Sequence, residues 1–182
     1  MKYFNCVLKF AMGFSEATRF GSLQRMKMSR FGSITEDVRW RYSGDLRNSL
    51  LVSVDKKIEL HAVRLFGSEN NEYSVTLTVT DSNGVSLATK TGKFMSQLVQ
   101  SERGDYHGFD VAFEPPVDLQ AGTQYSLEAS ISGPPSWYGQ LGLTPVKHAG
   151  VNFFFTNTAE AEVGYDTTVR LGQFPQLVFA VK

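Results

Sequence analysis

The chain has 182 residues, 42% of them apolar, with 18 basic residues balancing 18 acidic ones. That is one ordinary globular domain with about thirty residues to spare, enough to bury a core without staples. Residues 1–28 carry Lys2, Lys9, Arg19, Arg25 and Lys27 against Glu16 alone, so the rest of the chain sums to −4, and no clustered basic face is offered to nucleic acid.

Residues 3–15 place Phe4, Leu8, Ala11 and Met12 near one helical face, with Val7 beside them, the spacing of a short amphipathic helix. Gly13 weakens it, and a free-standing helix of this length is marginal in water. It is expected as an appendage. Residues 17–29 read as a linker into Arg30-Phe31, which divides the chain into a basic extension, 1–28, and a domain, 29–182.

From residue 50 onward the apolar period becomes two. Residues 50–54 and 58–66 read as strands, and in the second the apolar phase flips between Ala62 and Val63, the mark of a bulge or a twist at a corner. Tyr73, Val75, Leu77 and Val79 alternate with polar neighbours as a half-buried strand does. Asp81-Ser82-Asn83-Gly84 turns it toward a further strand at 85–91. Phe109, Val111 and Phe113 alternate with Asp110 and Ala112, and Tyr125, Leu127, Ala129 and Ile131 do the same at 124–131. Residues 151–156 and 176–181 complete the set. Gly67-Ser68, Pro115-Pro116, Ala121-Gly122, Gly133-Pro134, His148-Ala149-Gly150 and Gly172 read as turns between the runs. Many short strands with polar outer faces and no long helix predict an all-β, antiparallel β-sandwich.

The most informative connection is GPPSWYG, residues 133–139. Two Gly and two Pro impose a tight, irregular backbone around Ser136, Trp137 and Tyr138. A rigid loop that holds up two large aromatic rings is a typical anchor for a partner. The competing reading folds Trp137 and Tyr138 back as a plug for the end of the sandwich.

Other loop motifs keep a consistent order. Arg30-Phe31 is followed by Trp40-Arg41-Tyr42-Ser43-Gly44, Val52-Ser53-Val54-Asp55-Lys56 and Leu65-Phe66-Gly67-Ser68. Tyr106-His107-Gly108-Phe109, GPPSWYG, Gly150-Val151-Asn152-Phe153 and Gly172-Gln173-Phe174-Pro175 come next. This ordered set, from Arg30 to Val181, resembles the PHR domain of the PAM/Highwire/RPM-1 ubiquitin ligases and of BTB-type adaptor proteins. Its phrasing is nearer to the BTB-linked branch. The resemblance implies a β-sandwich of jelly-roll type without a catalytic centre, serving ubiquitin ligases as a substrate- or partner-binding module. BTB-linked members join it to an N-terminal BTB domain that engages cullin-3. Residues 1–28 are too few for that domain, and one cysteine cannot supply a RING-type ligand set. The recognition half is what remains, and a protein, either a ligase substrate or a ligase component, is the expected partner.

The chemistry-bearing residues agree with a non-enzyme. His61, His107 and His148 are scattered and read as structural, and no metal or cofactor is expected. Asp105, Asp110, Glu114 and Asp118 cluster in sequence as a calcium site would, but Asp110 and Glu114 read as solvated outer-face residues. With Cys6 alone, no disulfide forms within the chain, and no Asn-x-Ser/Thr sequon occurs. No apolar run approaches the roughly 20 residues of a membrane span. A cytoplasmic location follows, although the basic, Phe-rich N-terminus is also of the kind found in mitochondrial presequences.

Trp40 is read as a core plug, and Phe154 as either covered by the N-terminal segment or exposed. Arg41, Tyr42, Ser136, Trp137 and Tyr138 are the expected partner contacts. The alternative is a carbohydrate- or small-ligand-binding jelly roll, with Trp137 and Tyr138 stacked on a sugar ring. Such modules are typical of secreted chains with disulfides or sequons, and this chain has neither.

Overall fold

The computed structural model describes residues 23–42, 47–159 and 166–182. The expected helix at 3–15, Cys6 and Gly44 lie outside the described residues. Within them the chain forms β1 Met26–Ser29, β2 Phe31–Trp40, β3 Arg47–Val54, β4 Ile58–Phe66, β5 Glu72–Thr80, β6 Ser86–Met95 and β7 Gln97–Val99. Then follow β8 Tyr106–Leu119, β9 Gln124–Ser132, β10 Ser136–Gly142, β11 Val146–His148, β12 Val151–Thr156 and β13 Gln176–Val181. No helix among the described residues is long and apolar enough to cross a membrane.

Two antiparallel sheets face each other, as the alternation predicts. One has the order β1-β13-β4-β8-β7 and the other β11-β12-β3-β9-β5-β6. Leu60, Val63 and Leu65 of β4 and Phe109 and Val111 of β8 meet Val52, Val75, Leu77, Leu127 and Phe153 from the opposite sheet in one core. In β5 and β9 the period of two puts every second side chain there and turns the others toward water. Phe154 likewise faces outward and is 41% exposed.

The phase flip in β4 is a bulge centred on His61. Leu60 pairs with Phe179 and Ala62 with Val178, so His61 opposes no residue of β13. The extra residue returns Val63 and Leu65 to the inner face. His61 Nε2 lies 3.5 Å from Glu59 Oε2 without hydrogen-bond geometry. Its pKa falls below the ordinary value, first by burial and then by Arg25, against the opposing pull of Glu59.

Three expectations are corrected. Residues 26–29 are not linker: β1 pairs with β13, and Met28 is completely buried. Pro115-Pro116 is not a turn, because β8 runs through it while its register on β4 jumps from Ala112 to Val117. Proline is tolerated there since β7, on the other flank, pairs only with residues 106–108. Finally, the second half of GPPSWYG is not loop but strand, and β10 pairs with β2 in a separate two-stranded ribbon.

The ribbon lies across the outer face of the first sheet at one end. It covers a second apolar cluster of Phe31, Phe66 and Tyr106, against which Ile34, Val99 and Trp137 pack. Close approach requires glycine. A Cβ on Gly139 would overlap the Phe31 ring, and one on Gly142 would overlap the carbonyl of Val169.

Between β1 and β2 sits Arg30, fully buried. Its Nε donates to the Phe174 carbonyl at 3.3 Å and Nη2 to that of Gln173 at 2.7 Å. Nη1 reaches the carbonyls of Thr168 at 3.1 Å and Val169 at 2.7 Å. The guanidinium also lies 3.9 Å above the Phe31 ring centroid, a cation–π contact. Burial lowers its pKa to about 9, which still leaves it charged at neutral pH.

Two outcomes follow from this packing. A chain starting at residue 29 should be less stable in urea than one starting at residue 23, by about 2–5 kcal/mol for the loss of Met28 alone. Arg30→Lys, whose ammonium cannot reproduce the planar fork, should cost about 2–4 kcal/mol and lower the melting midpoint by roughly 5–15 °C.

Candidate functional site

Antiparallel pairing brings several strand ends to one edge of the sandwich. Phe66, the last residue of β4, pairs with Gly108 near the start of β8, and Ser132, the last of β9, pairs with Ser74 near the start of β5. Three of the sequence motifs therefore converge: Gly67-Ser68, Tyr106-His107-Gly108 and GPPSWYG. Gly67 joins them through its backbone, donating to the His107 carbonyl at 2.9 Å and accepting from the Trp137 amide at 3.0 Å. A side chain at Gly67 would overlap Ser96.

A shallow cleft of about 490 Å³ opens over this junction. Ser68, Glu69 and Asn71, from the β4–β5 connection, form one wall. His107, Pro134, Pro135 and Trp137 complete it. Asn71 Nδ2 donates to Ser68 Oγ at 2.8 Å and to the Glu69 carbonyl at 3.0 Å, and Ser68 Oγ is bonded to the Tyr73 hydroxyl at 2.7 Å. Asn70 between them has φ 57°, a left-handed conformation that asparagine accepts more readily than most residues. The connection is thus a shaped wall. Trp137 is half-buried, with its ring 6.0 Å from that of His107 and its inner side on the Phe31/Phe66/Tyr106 cluster.

Behind the cleft a buried polar network holds Trp137 in place. Gln173 Nε2 donates to the Tyr42 hydroxyl at 3.0 Å and to Ser136 Oγ at 3.1 Å, and its Oε1 accepts from the Phe66 amide at 2.9 Å. The Gln173 amide donates to Thr167 Oγ1 at 2.9 Å, which in turn donates to Asn48 Oδ1 at 2.9 Å. Asn48 Oδ1 also accepts from the Trp40 indole at 3.1 Å. Trp40 is buried, the plug expected of it.

Of the five expected contact residues, only Trp137 lines the cleft. Ser136 has no exposed surface. Its hydroxyl is shared among Tyr42, Gln173 and the Trp137 carbonyl, so it cannot touch a partner and serves the interior. The Tyr42 hydroxyl points into the same network, and burial pushes its pKa well above the ordinary phenol value. Tyr138 is half-buried with its ring 5.6 Å from that of Trp40, and Arg41 is exposed away from the cleft.

Sequence reasoning missed that Glu69, Asn71 and His107 line one cleft. The signal that reaches them is the pairing parity of β4, β5, β8 and β9, which sets their connecting loops at one end. Leu98 is directly opposite His107 on β7 and is 61% exposed, an apolar shoulder beside the cleft.

These features define an all-β sandwich domain whose inter-strand loops assemble a shallow cleft at one end. The model of the PHR domain family matches residues 29–180, and the chain belongs to that family. It is 36% identical over 144 residues to BTB/POZ domain-containing protein 6-B of Danio rerio, covering 78% of this chain and 28% of that protein. Against BTB/POZ domain-containing protein 6 of Homo sapiens the identity is 35%, over 78% of this chain and 25% of that one. The chain spans about a quarter of the length of the curated relatives it matches.

Gln173→Leu removes the donor to Tyr42 and Ser136 and the acceptor for the Phe66 amide. It should lower unfolding free energy by about 2–3 kcal/mol in a urea titration, with Trp137 becoming more accessible to an aqueous fluorescence quencher.

Proposed function

We propose that this PHR domain is a non-catalytic protein-recognition module, the partner-binding part of a ubiquitin-ligase adaptor of the BTB-linked kind acting in the cytoplasm. The partner docks on the end of the sandwich that carries Trp137. One observation carries the reading: three connections distant in sequence converge on a cleft walled by a half-exposed tryptophan, itself locked from behind by buried hydrogen bonds. A rigid aromatic in a partly desolvated pocket is the arrangement that concentrates binding energy at protein interfaces. Exposed Leu98 extends that surface with apolar area. The curated relatives bear BTB/POZ domains by name, which supports a role next to such a domain.

Affinity capture from lysate tests the reading. The Trp137→Ala/Tyr138→Ala variant and a separate Leu98→Asp variant, both checked for a cooperative melt, should retain less than about a tenth of the specific partner, since a central aromatic anchor is worth 2 kcal/mol or more. Folded variants that keep every partner at wild-type level sink the proposal. Binding of the wild type to a glycan array, lost in the Trp137→Ala/Tyr138→Ala variant, would replace it with the sugar-binding alternative.

A further inference from the structure

We propose that the cleft receives a lysine or arginine side chain of the partner protein, its cation lying between the Trp137 ring and the Glu69 carboxylate. This rests on the recognition role proposed above and names the chemistry that the partner must present.

The argument is one of complementarity. No lysine or arginine lines the cleft, whose only formally charged side chain is Glu69. Glu69 is exposed and makes no ion pair among the described residues. The Asn71 amide nitrogen is already committed to Ser68 and to the Glu69 carbonyl, so the group it has left for an occupant is its acceptor oxygen. The Glu69 carboxylate and the Asn71 oxygen both accept, and together they call for a donor that carries positive charge.

The remaining walls are Ser68, His107, Pro134, Pro135 and the Trp137 ring. Pro134, Pro135 and the Trp137 ring are apolar and suit the methylene stem of a long basic side chain, which buries its carbons while its head stays polar. Tryptophan is also the strongest aromatic partner for a cation. An acidic or phosphorylated side chain would meet Glu69 with like charge and find no lysine or arginine to pair with. A purely apolar side chain would leave the Glu69 carboxylate partly desolvated and unpaired. The cation is a single anchoring residue within a larger contact.

The test uses the full chain and a phage-displayed random heptapeptide library as the probe. Selection on the wild type should fix lysine or arginine at one position, and selection on Glu69→Lys should replace it there by aspartate or glutamate. For a selected peptide, Glu69→Gln and exchange of the basic residue for norleucine should each weaken binding about 5- to 10-fold. Glu69 is a surface side chain, so these variants retain the fold. The proposal is overturned if no peptide is selected, if no position is basic, or if Glu69→Gln binds the basic peptide as well as the wild type does. Lysate capture separates this failure from that of the recognition role. A partner lost by Trp137→Ala/Tyr138→Ala but kept by Glu69→Gln leaves the docking surface standing and removes the cation. A partner kept by both removes the two together.

Discussion

The arrangement hangs on one buried cation. The segment from Asp166 to Pro175 has almost no regular pairing, so its carbonyls lack the ladder partners that a strand provides. Arg30 supplies them. Its planar guanidinium meets four of these carbonyls at once, and the adjacent backbone closes the contact through the Arg30 amide to Pro175. Taking a charge out of water is costly unless hydrogen bonds replace its hydration. Here the oriented carbonyls and the face of Phe31 do so, and arginine suits the position because its donors are fixed in a fork.

The site inherits its rigidity from that contact. With the segment held, Gly172 exchanges two backbone hydrogen bonds with Gly139 of β10, and Thr167 and Gln173 point into the interior. Gln173 then links Tyr42, Ser136 and the end of β4, while Thr167 and Asn48 carry the network to Trp40. Trp137 is consequently both plug and wall. Its inner side completes the second apolar cluster and the rest forms part of the cleft. Packing against the cluster and lining the cleft are compatible, because a half-buried aromatic ring has two sides.

Legibility in the sequence followed the simplicity of each strand's surroundings. β5 and β9 have one face in the core and one in water, and their alternation marks them plainly. β2 and β10 do not, because a ribbon laid against the outside of a sheet buries mixed positions and needs Gly139 and Gly142 where strands rarely carry glycine. β1 is four residues long, too short for a period to appear. Arg30, Ser136 and Gln173 stood inside recognisable motifs, but nothing local distinguishes a buried polar side chain from an exposed one.

By itself, then, the sequence determined the sandwich, most of its strands, the bulge in β4 and membership of the PHR family. Those properties are written in short-range alternation and in the order of loop motifs. Only the tertiary structure decided which motif residues meet. It turned Ser136 and Tyr42 inward, kept Trp137 at the surface, and brought Glu69 and Asn71 beside Pro134 and Pro135. The physical reason is separation along the chain: Arg30 finds Gln173 across 143 positions and Gln173 finds Phe66 across 107. Such pairings depend on strand register and sheet packing, which no window of neighbouring residues encodes.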